Sequence, residues 1–391
     1  MQNPGAPKPG APPAPGAPTA PRRVAPTLVT RLRTFTFRQD SIIYQALFKP
    51  RWKPWSPRRV VLTALGFGAA MLLLIIVTPK VGHEIRVRMF GSPTDLKEDA
   101  PEVSPGDAPG SGERADANLS RKGRSPIAGG LLTIPQSFAS ADGAYDLVIH
   151  FHGNTDLVEE SYQKVGINAA VVIMNLGTGS GVYEDRYSAP AILPDVLDRT
   201  RGALEKRGLR RATLRRLALS AWSAGYGAVS RILDQPQMRE KVDAIILLDG
   251  LHCGYLQGSH ELAMERLASF ERFAKQAIEG KKLFSITHSN ITPLGEYAGT
   301  HETTDALLKR VGVPRTKGGD PPPMPPLSSI DGVVQKKSLR PLQPESEAHL
   351  RGLYVRGYGG DQPDHHSMHL VQMSVTALPD LVQYWSSTEP P

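Results

Sequence analysis

The stretch that decides the fold reads Arg215-Arg-Leu-Ala-Leu-Ser-Ala-Trp-Ser223-Ala-Gly225-Tyr-Gly227-Ala-Val-Ser-Arg-Ile-Leu233. Its first half alternates apolar residues at positions 217, 219 and 221, which predicts a β-strand, and its second half repeats them at 229, 232 and 233, which predicts a helix. A strand that turns directly into a helix pushes the side chain between them out of the sheet. That side chain is Ser223. Small residues are needed two positions away on each side, and Ala221 and Gly225 provide them.

The pentapeptide around Ser223 resembles the nucleophile elbow of the α/β-hydrolase superfamily, written G-x-S-x-G, with Ala221 in place of the first glycine. The resemblance implies a serine hydrolase on a doubly wound, mostly parallel sheet. It also implies that N–H groups at the start of the following helix stabilise an oxyanion near the serine. The alternative is an ordinary strand–turn–helix with an idle serine.

Composition limits the function classes. The 391 residues can bury one large α/β core or two small ones, and the single Cys253 excludes an intrachain disulfide. The net charge of +8 is concentrated in residues 1–59, which carry +10, so the remaining residues carry −2. The bulk of the chain is therefore not basic, and we expect no nucleic-acid partner.

The first 126 residues predict three segments. Residues 1–59 form a disordered Pro/Ala-rich tail that becomes basic, and residues 79–126 form a flexible polar linker. Between them, residues 60–78 predict a transmembrane helix, because the uncharged run from Val60 to Val77 would be about 27 Å long as a helix. Arg58 and Arg59 precede this run, so the positive-inside rule places the N-terminus in the cytoplasm and the C-terminal domain outside it.

Residues 127–386 predict one α/β domain, because apolar strand-like runs alternate with helix-like segments. Residues 313–346, which include a proline-rich run, predict an inserted loop before the last strand. The predicted strands are Leu131–Ile134, Tyr145–Phe151, Ala169–Asn175, Leu214–Ala221, Asp243–Leu248, Lys282–Thr287 and Gly352–Gly357. The predicted helices are Val158–Val165, Pro194–Arg207, Ala224–Leu233, His260–Ile278, Thr304–Val311 and Ser367–Trp385.

Candidate site residues follow the predicted strands, since ligands bind beyond the carboxyl ends of parallel strands. His152-Gly153-Asn154 follows one strand and resembles the oxyanion loop of α/β-hydrolases. The resemblance implies that the N–H of Gly153 or Asn154, together with that of Ala224, binds the oxyanion. Asp249 follows another strand and is the candidate acid, at a place that a minority of the superfamily uses.

Three histidines after the last predicted strand compete for the role of base. His369 is favoured because it precedes an apolar run and so lies on a defined first turn of a helix, whereas His366 is the second choice and His365 the third. The chain order Ser223, Asp249, His369 is then the nucleophile–acid–base order of the family. The expected reaction is hydrolysis of an ester or amide in a small molecule or polymer, without a cofactor.

Other interpretations stay open. The glycine-rich stretch from Leu176 to Gly181 departs from G-x-G-x-x-G, so a loop at the substrate mouth is favoured over a nucleotide site. A metal-dependent hydrolase is one alternative, because histidines occur at spacings that suit zinc. An inactive envelope scaffold that retains a hydrolase fold is another. The residues of the metal hypothesis are His150, His152, Asp361, Asp364, His365, His366 and His369.

Overall fold

A ten-stranded sheet organises the part of the chain that the computed structural model describes, which is residues 113–293, 295, 297–332 and 340–387. Its strands are β1 Ser125–Ile127, β2 Gly130–Thr133, β3 Ala144–Phe151, β4 Ala170–Met174, β5 Thr213–Trp222, β6 Ala244–Leu248, β7 Leu283–His288, β8 Thr316–Lys317, β9 Gln343–Leu350 and β10 Leu353–Gly359. They are arranged in the order β1-β2-β4-β3-β5-β6-β7-β10-β9-β8. The six strands β4, β3, β5, β6, β7 and β10 are parallel to one another. On either side of them, β2 and β1, and β9 and β8, each pair antiparallel with the neighbouring strand.

The central strands are largely apolar because both faces of the sheet are covered. Every residue of β4 (Ala-Val-Val-Ile-Met) and of β6 (Ala-Ile-Ile-Leu-Leu) is buried. Successive residues of a strand point to opposite faces, so Leu147 and Ile149 of β3 join one apolar cluster while Val148 joins the other. The sheet therefore has a core on each side.

Helices cover both cores. The helices are α1 Thr155–Val165, α2 Gly181–Tyr187, α3 Ile192–Lys206, α4 Tyr226–Asp234, α5 Pro236–Lys241, α6 Ala268–Ile278, α7 Thr300–Val311, α8 Pro363–Val371, α9 Met373–Thr376 and α10 Leu378–Ser387. Helices α1, α8 and α10 contribute to the core that contains Val148, and α4, α6 and α7 contribute to the opposite core. The predicted doubly wound, mostly parallel sheet is confirmed for the described residues.

The domain begins before residue 127, so the predicted end of the linker at 126 is wrong. Ala115 is fully buried; its N–H donates to the carbonyl of Ala141 at 2.9 Å, and its own carbonyl accepts from the Arg210 N–H at 3.0 Å. The buried carboxylate of Asp116 accepts from the Ser140 N–H at 2.9 Å. The sequence of this segment is polar and therefore looks like a linker, but its polar groups are bonded to the domain.

The interval 313–346 is not wholly a loop. Strand β8 and the start of β9 lie within it, and β9 pairs antiparallel with β10 at the edge of the sheet. Strand β9 was not predicted from its sequence, Gln-Pro-Glu-Ser-Glu-Ala-His-Leu, because most of its residues are polar and at least partly exposed. The last predicted helix, 367–385, is instead divided among α8, α9 and α10.

The predicted tail and transmembrane segment fall within residues 1–112, outside the described part of the chain. Among the helices that are described, none combines the length and the apolar character needed to cross a bilayer.

Candidate active site

Ser223 lies where β5 turns into a helix, as the sequence predicts. Its φ of 49° is left-handed, which is uncommon for a serine and costs free energy that the surrounding structure must supply. A single turn of 3-10 helix, Ser223–Gly225, leads into α4. Gly225 must be a glycine because a Cβ there would collide with the carbonyl oxygen of Phe151 at the end of β3. The turn therefore packs directly against the neighbouring strand.

Three non-glycine residues with positive φ occupy equivalent places on adjacent strands. His152 follows β3 with φ 70°, Ser223 follows β5, and Asp249 follows β6 with φ 45°. The turn after β6 also packs against the serine, since a Cβ on Gly250 would lie 2.7 Å from the carbonyl oxygen of Ser223. Strained backbone of this kind clusters at functional sites, so the three turns mark one site at the carboxyl edge of the sheet.

The carboxylate of Asp249 is buried and fully bonded. One oxygen, Oδ1, accepts from the Ser289 N–H at 2.8 Å and from the Thr300 hydroxyl at 2.5 Å. The other, Oδ2, accepts from Nδ1 of His366 at 2.7 Å. Burial alone would raise the pKa of Asp249, but the two nearby histidines and these hydrogen bonds outweigh it, so the pKa lies well below its usual range. Asp249 is therefore a carboxylate at neutral pH.

His366 is held in place by Trp222, the residue before Ser223. The indole N–H of Trp222 donates to the carbonyl of His366 at 3.1 Å, and the two rings stack with centroids 4.8 Å apart. The imidazole is one-quarter exposed, so a substrate can reach it. Because a carboxylate only accepts hydrogen bonds, Nδ1 carries the proton that faces Asp249. Nε2 of the neutral ring is then an acceptor.

His369, which the sequence favoured as the base, occupies a different place. Its side chain is completely buried behind Asp249, with Nδ1 hydrogen-bonded to the Thr287 hydroxyl at 2.8 Å and Nε2 4.0 Å from Asp249 Oδ2. Burial lowers the pKa of His369 to about 4. A ring in this position cannot meet a substrate. The preference for His369 over His366 is therefore corrected.

His365, the third candidate, has a structural role at the start of α8. Its Nδ1 accepts from the backbone N–H of Gln362 at 3.1 Å, which completes a capping box at the helix N-terminus. The helix start places His366 one residue later, facing Asp249.

The predicted oxyanion loop lies next to the same turn. His152 stacks on the indole of Trp222 with centroids 5.1 Å apart, and its Nδ1 is 3.0 Å from the Tyr183 hydroxyl. Burial lowers the pKa of His152 to about 4. Asn154 caps α1 by accepting from the Leu157 N–H at 3.0 Å. Ala224 is in the first turn after β5, where backbone N–H groups have no partner from a preceding turn.

Sequence reasoning missed the residues that support Asp249. Thr287 lies on β7, where its carbonyl accepts from the Asp249 N–H, whereas Ser289 is in the loop after β7 and Thr300 is the first residue of α7. Threonine and a backbone N–H have no distinctive sequence pattern, so only the fold could find them. Sequence reasoning also did not predict that the Trp222 ring would stack on both His152 and His366.

The residues of the metal hypothesis do not come together. His150 is inside the sheet with its Nδ1 2.9 Å from the Ser220 hydroxyl, and His365 caps a helix. Within the described residues, no three His, Cys, Asp or Glu side chains are grouped so that they could hold a metal ion.

The fold and the site together give a doubly wound α/β domain with a serine, a carboxylate and a histidine at the carboxyl edge of its sheet. No protein-family model matches the sequence, and a search of curated proteins gives no significant match. Solved structures with a related arrangement include an S-formylglutathione hydrolase from Agrobacterium tumefaciens, at 12% identity and a TM-score of 0.34, covering 67% of this chain and 96% of that one. A siderophore hydrolase, EstB, from Aspergillus nidulans has 13% identity and a TM-score of 0.31, covering 64% of this chain and 91% of that one.

A membrane phospholipase A described as a bacterial virulence factor has 10% identity and a TM-score of 0.30, covering 84% of this chain and 97% of its own. Similarities of this size carry no argument about the activity of this chain.

Proposed function

We propose that the chain is a serine hydrolase that cleaves an ester or amide, with Ser223 as nucleophile, His366 as base and Asp249 as the acid that orients it. The observation that carries this proposal is the 2.7 Å hydrogen bond between His366 Nδ1 and Asp249, formed beside the strained turn that presents Ser223. The chain order of these residues is also that of α/β-hydrolases.

The first chemical step is attack of Ser223 on the carbonyl carbon. A serine hydroxyl is a weak nucleophile at neutral pH, so Nε2 of His366 takes its proton as the Oγ–carbon bond forms. Asp249 keeps the proton on Nδ1, which leaves Nε2 free to accept, and its negative charge stabilises the imidazolium that results. The imidazolium then protonates the leaving group, and water hydrolyses the acyl-enzyme by the same steps.

The negative oxygen of the tetrahedral intermediate needs hydrogen-bond donors fixed in advance. In this proposal, the N–H of Ala224 is one donor and the N–H of Gly153 or Asn154 is the other. The turn at Ser223 and the loop after β3 are in contact through Gly225 and the Phe151 carbonyl, so the two groups of donors belong to one rigid unit.

The test is labelling of the full chain with a fluorophosphonate, together with hydrolysis of p-nitrophenyl esters. We expect covalent attachment at Ser223 and loss of both activities in Ser223→Ala. If Ser223→Ala still hydrolyses ester and a chelator stops it, the metal-dependent alternative replaces the serine mechanism. If the wild-type chain is neither labelled nor active, the inactive scaffold is the better account.

Membrane anchoring through residues 60–78 is part of the proposal and rests on the sequence alone. The uncharged run and the arginines before it support a single span with the N-terminus in the cytoplasm. Reporter domains inserted after residue 40 and fused after residue 391 test this orientation. A cytoplasmic signal from the first and an extracytoplasmic signal from the second are expected, and the reverse pattern would contradict it.

A further inference from the structure

His150 is a fully buried histidine that the mechanism above does not use. It lies on β3 opposite Ser220 of β5. Ser220 is three residues before Ser223 in the chain. Its two ring nitrogens have different partners: Nδ1 is 2.9 Å from the Ser220 hydroxyl, and Nε2 is 3.0 Å from the backbone carbonyl of His152. The Tyr162 hydroxyl lies 3.5 Å from Nδ1.

The partners fix the tautomer of this ring. A carbonyl oxygen only accepts, so Nε2 of His150 carries the proton and donates to His152, while Nδ1 accepts from the Ser220 hydroxyl. Burial lowers the pKa of His150 to about 3, so the ring stays neutral and keeps this pattern at physiological pH. The hydrogen bond to His152 is thus a permanent feature of the folded chain.

That bond reaches the start of the oxyanion loop. The carbonyl of His152 belongs to the peptide that joins it to Gly153, and this peptide is trans. In a trans peptide the C=O and N–H point in opposite directions, so drawing the His152 carbonyl towards His150 turns the Gly153 N–H away from the sheet interior. The backbone here has positive φ at His152 (70°) and at Gly153 (138°), a conformation that needs outside support.

We propose that His150 is a positioning residue for the oxyanion loop, acting through its hydrogen bond to the His152 carbonyl. It holds the peptide that joins His152 to Gly153 so that the Gly153 N–H faces the oxyanion formed at Ser223, while the His152 N–H donates to the Met174 carbonyl. The inference rests on the proposed serine mechanism, because only that mechanism needs an oxyanion site there. His150 does not itself contact the substrate.

The test compares two amide substitutions in the full chain. In His150→Gln the side-chain nitrogen reaches about as far as Nε2 and can still donate to the His152 carbonyl. In His150→Asn the shorter amide can reach Ser220 but not that carbonyl. Ser220→Ala removes the partner of Nδ1 alone. If His150→Asn does not fold, His150→Phe takes its place, since it preserves ring volume and lacks the donor.

Four quantities are measured: kcat and KM for a p-nitrophenyl ester, the rate of fluorophosphonate attachment, and the affinity for phenylboronic acid, which forms a tetrahedral adduct with serine. Loss of a direct oxyanion donor lowers kcat by about 10²–10³-fold, so for a residue that only positions the donors we expect a fall of about 10- to 100-fold in His150→Asn. KM should stay within about twofold of wild type, because substrate binding in the ground state is not affected. In His150→Asn, the affinity for phenylboronic acid and the rate of fluorophosphonate attachment should fall together with kcat. His150→Gln should have a kcat close to that of the wild type. The fall in kcat should be smaller in Ser220→Ala than in His150→Asn.

Equal kcat in His150→Asn and His150→Gln, with Ser223 still labelled in the wild-type chain, would overturn this inference alone. A rise in KM without a fall in kcat would also overturn it. Absence of labelling at Ser223 in the wild-type chain would contradict the proposed function and this inference with it.

Discussion

The carboxylate of Asp249 accepts a 2.7 Å hydrogen bond from Nδ1 of His366, a residue 117 positions later in the chain. The two side chains meet because Asp249 directly follows β6, a central strand of the sheet, while His366 lies in the first turn of α8, after β10. Trp222 fixes the histidine from the other side through a ring stack and a hydrogen bond to its carbonyl. Ser223 and Asp249 therefore lie on turns that follow adjacent strands, and His366 lies on a helix held against Trp222.

Substituting His366 and His369 separately tests which histidine is the base. His366→Ala should lower kcat by about 10⁴–10⁶-fold, because the proton of Ser223 then has no acceptor. His369→Gln should retain activity within about tenfold, since its ring lies behind Asp249 and does not reach substrate. His365→Gln is the matched control and should remain active. A loss confined to His369→Gln would return the role of base to His369.

Replacing the acid tests its role in orienting the base. Asp249→Asn keeps the shape of the side chain but can present an N–H to His366, which favours the wrong tautomer. We expect kcat to fall by roughly 10²–10⁴-fold with the fold preserved, and the circular dichroism spectrum and melting temperature of the variant check the second point. Equal activity in Asp249→Asn, with a loss in Asp361→Asn or Asp364→Asn, would assign the acid elsewhere.

Buried neutral histidines predict how stability depends on pH. Burial lowers the pKa of His288 and of His369 to about 4, and that of His150 to about 3. The unfolded chain therefore binds protons first as the pH falls from about 7 towards about 4, and the free energy of unfolding drops by up to about 1.4 kcal/mol per pH unit for each such histidine. The low pKa of Asp249 acts in the same direction only at still lower pH, once the unfolded carboxyl becomes protonated.

Urea unfolding between about pH 7 and about pH 5 measures this slope. His369→Gln should make it shallower, whereas His260→Gln, a change at an exposed ring, should leave it as in wild type. A free energy of unfolding that is constant across this range would contradict the prediction.

The corrected start of the domain gives a prediction about stability. Asp116 accepts from the Ser140 N–H and forms an ion pair with Arg121, so Asp116→Ala removes the acceptor of that N–H and the ionic partner of Arg121, which keeps its hydrogen bond to the Phe138 carbonyl. Hydrogen bonds to a charged group contribute about 1.5–3 kcal/mol, and a loss of this size in the free energy of unfolding is expected. Asp198→Asn, on the exposed face of α3, is the control and should change stability by less than about 0.5 kcal/mol. Equal effects of the two substitutions would mean that residues 115–126 are a linker after all.

The sequence predicted the central sheet well, because most of its strands are largely apolar runs. Ser223, Asp249 and the His152–Asn154 loop were proposed by reading the residue after each strand, and their catalytic roles stay predictions. Strand β9, which lies between β10 and the two-residue strand β8, was not predicted, since one face of it meets water and its residues are mostly polar.

The choice among His365, His366 and His369 could not be made from sequence. It depends on where α8 begins: one turn of the helix decides which ring faces Asp249, which caps the helix and which is buried. The apolar run after His369 indicated a well-defined helix, but it also means that the His369 ring is buried in the core and cannot reach a substrate. The supporting groups of Asp249, at Ser289 and Thr300, come from separate elements and appear only once the chain is folded.

The most direct test of the central claim is to locate the residue that a fluorophosphonate modifies in the full chain, by mass spectrometry of its peptides. The account predicts attachment at a single serine, Ser223, at a rate that depends on the histidine base. The rate should be abolished in Ser223→Ala and in His366→Ala, and the double variant should be no worse than either, because the two residues act as one unit. Attachment at another serine, or ester hydrolysis that survives Ser223→Ala, would contradict it.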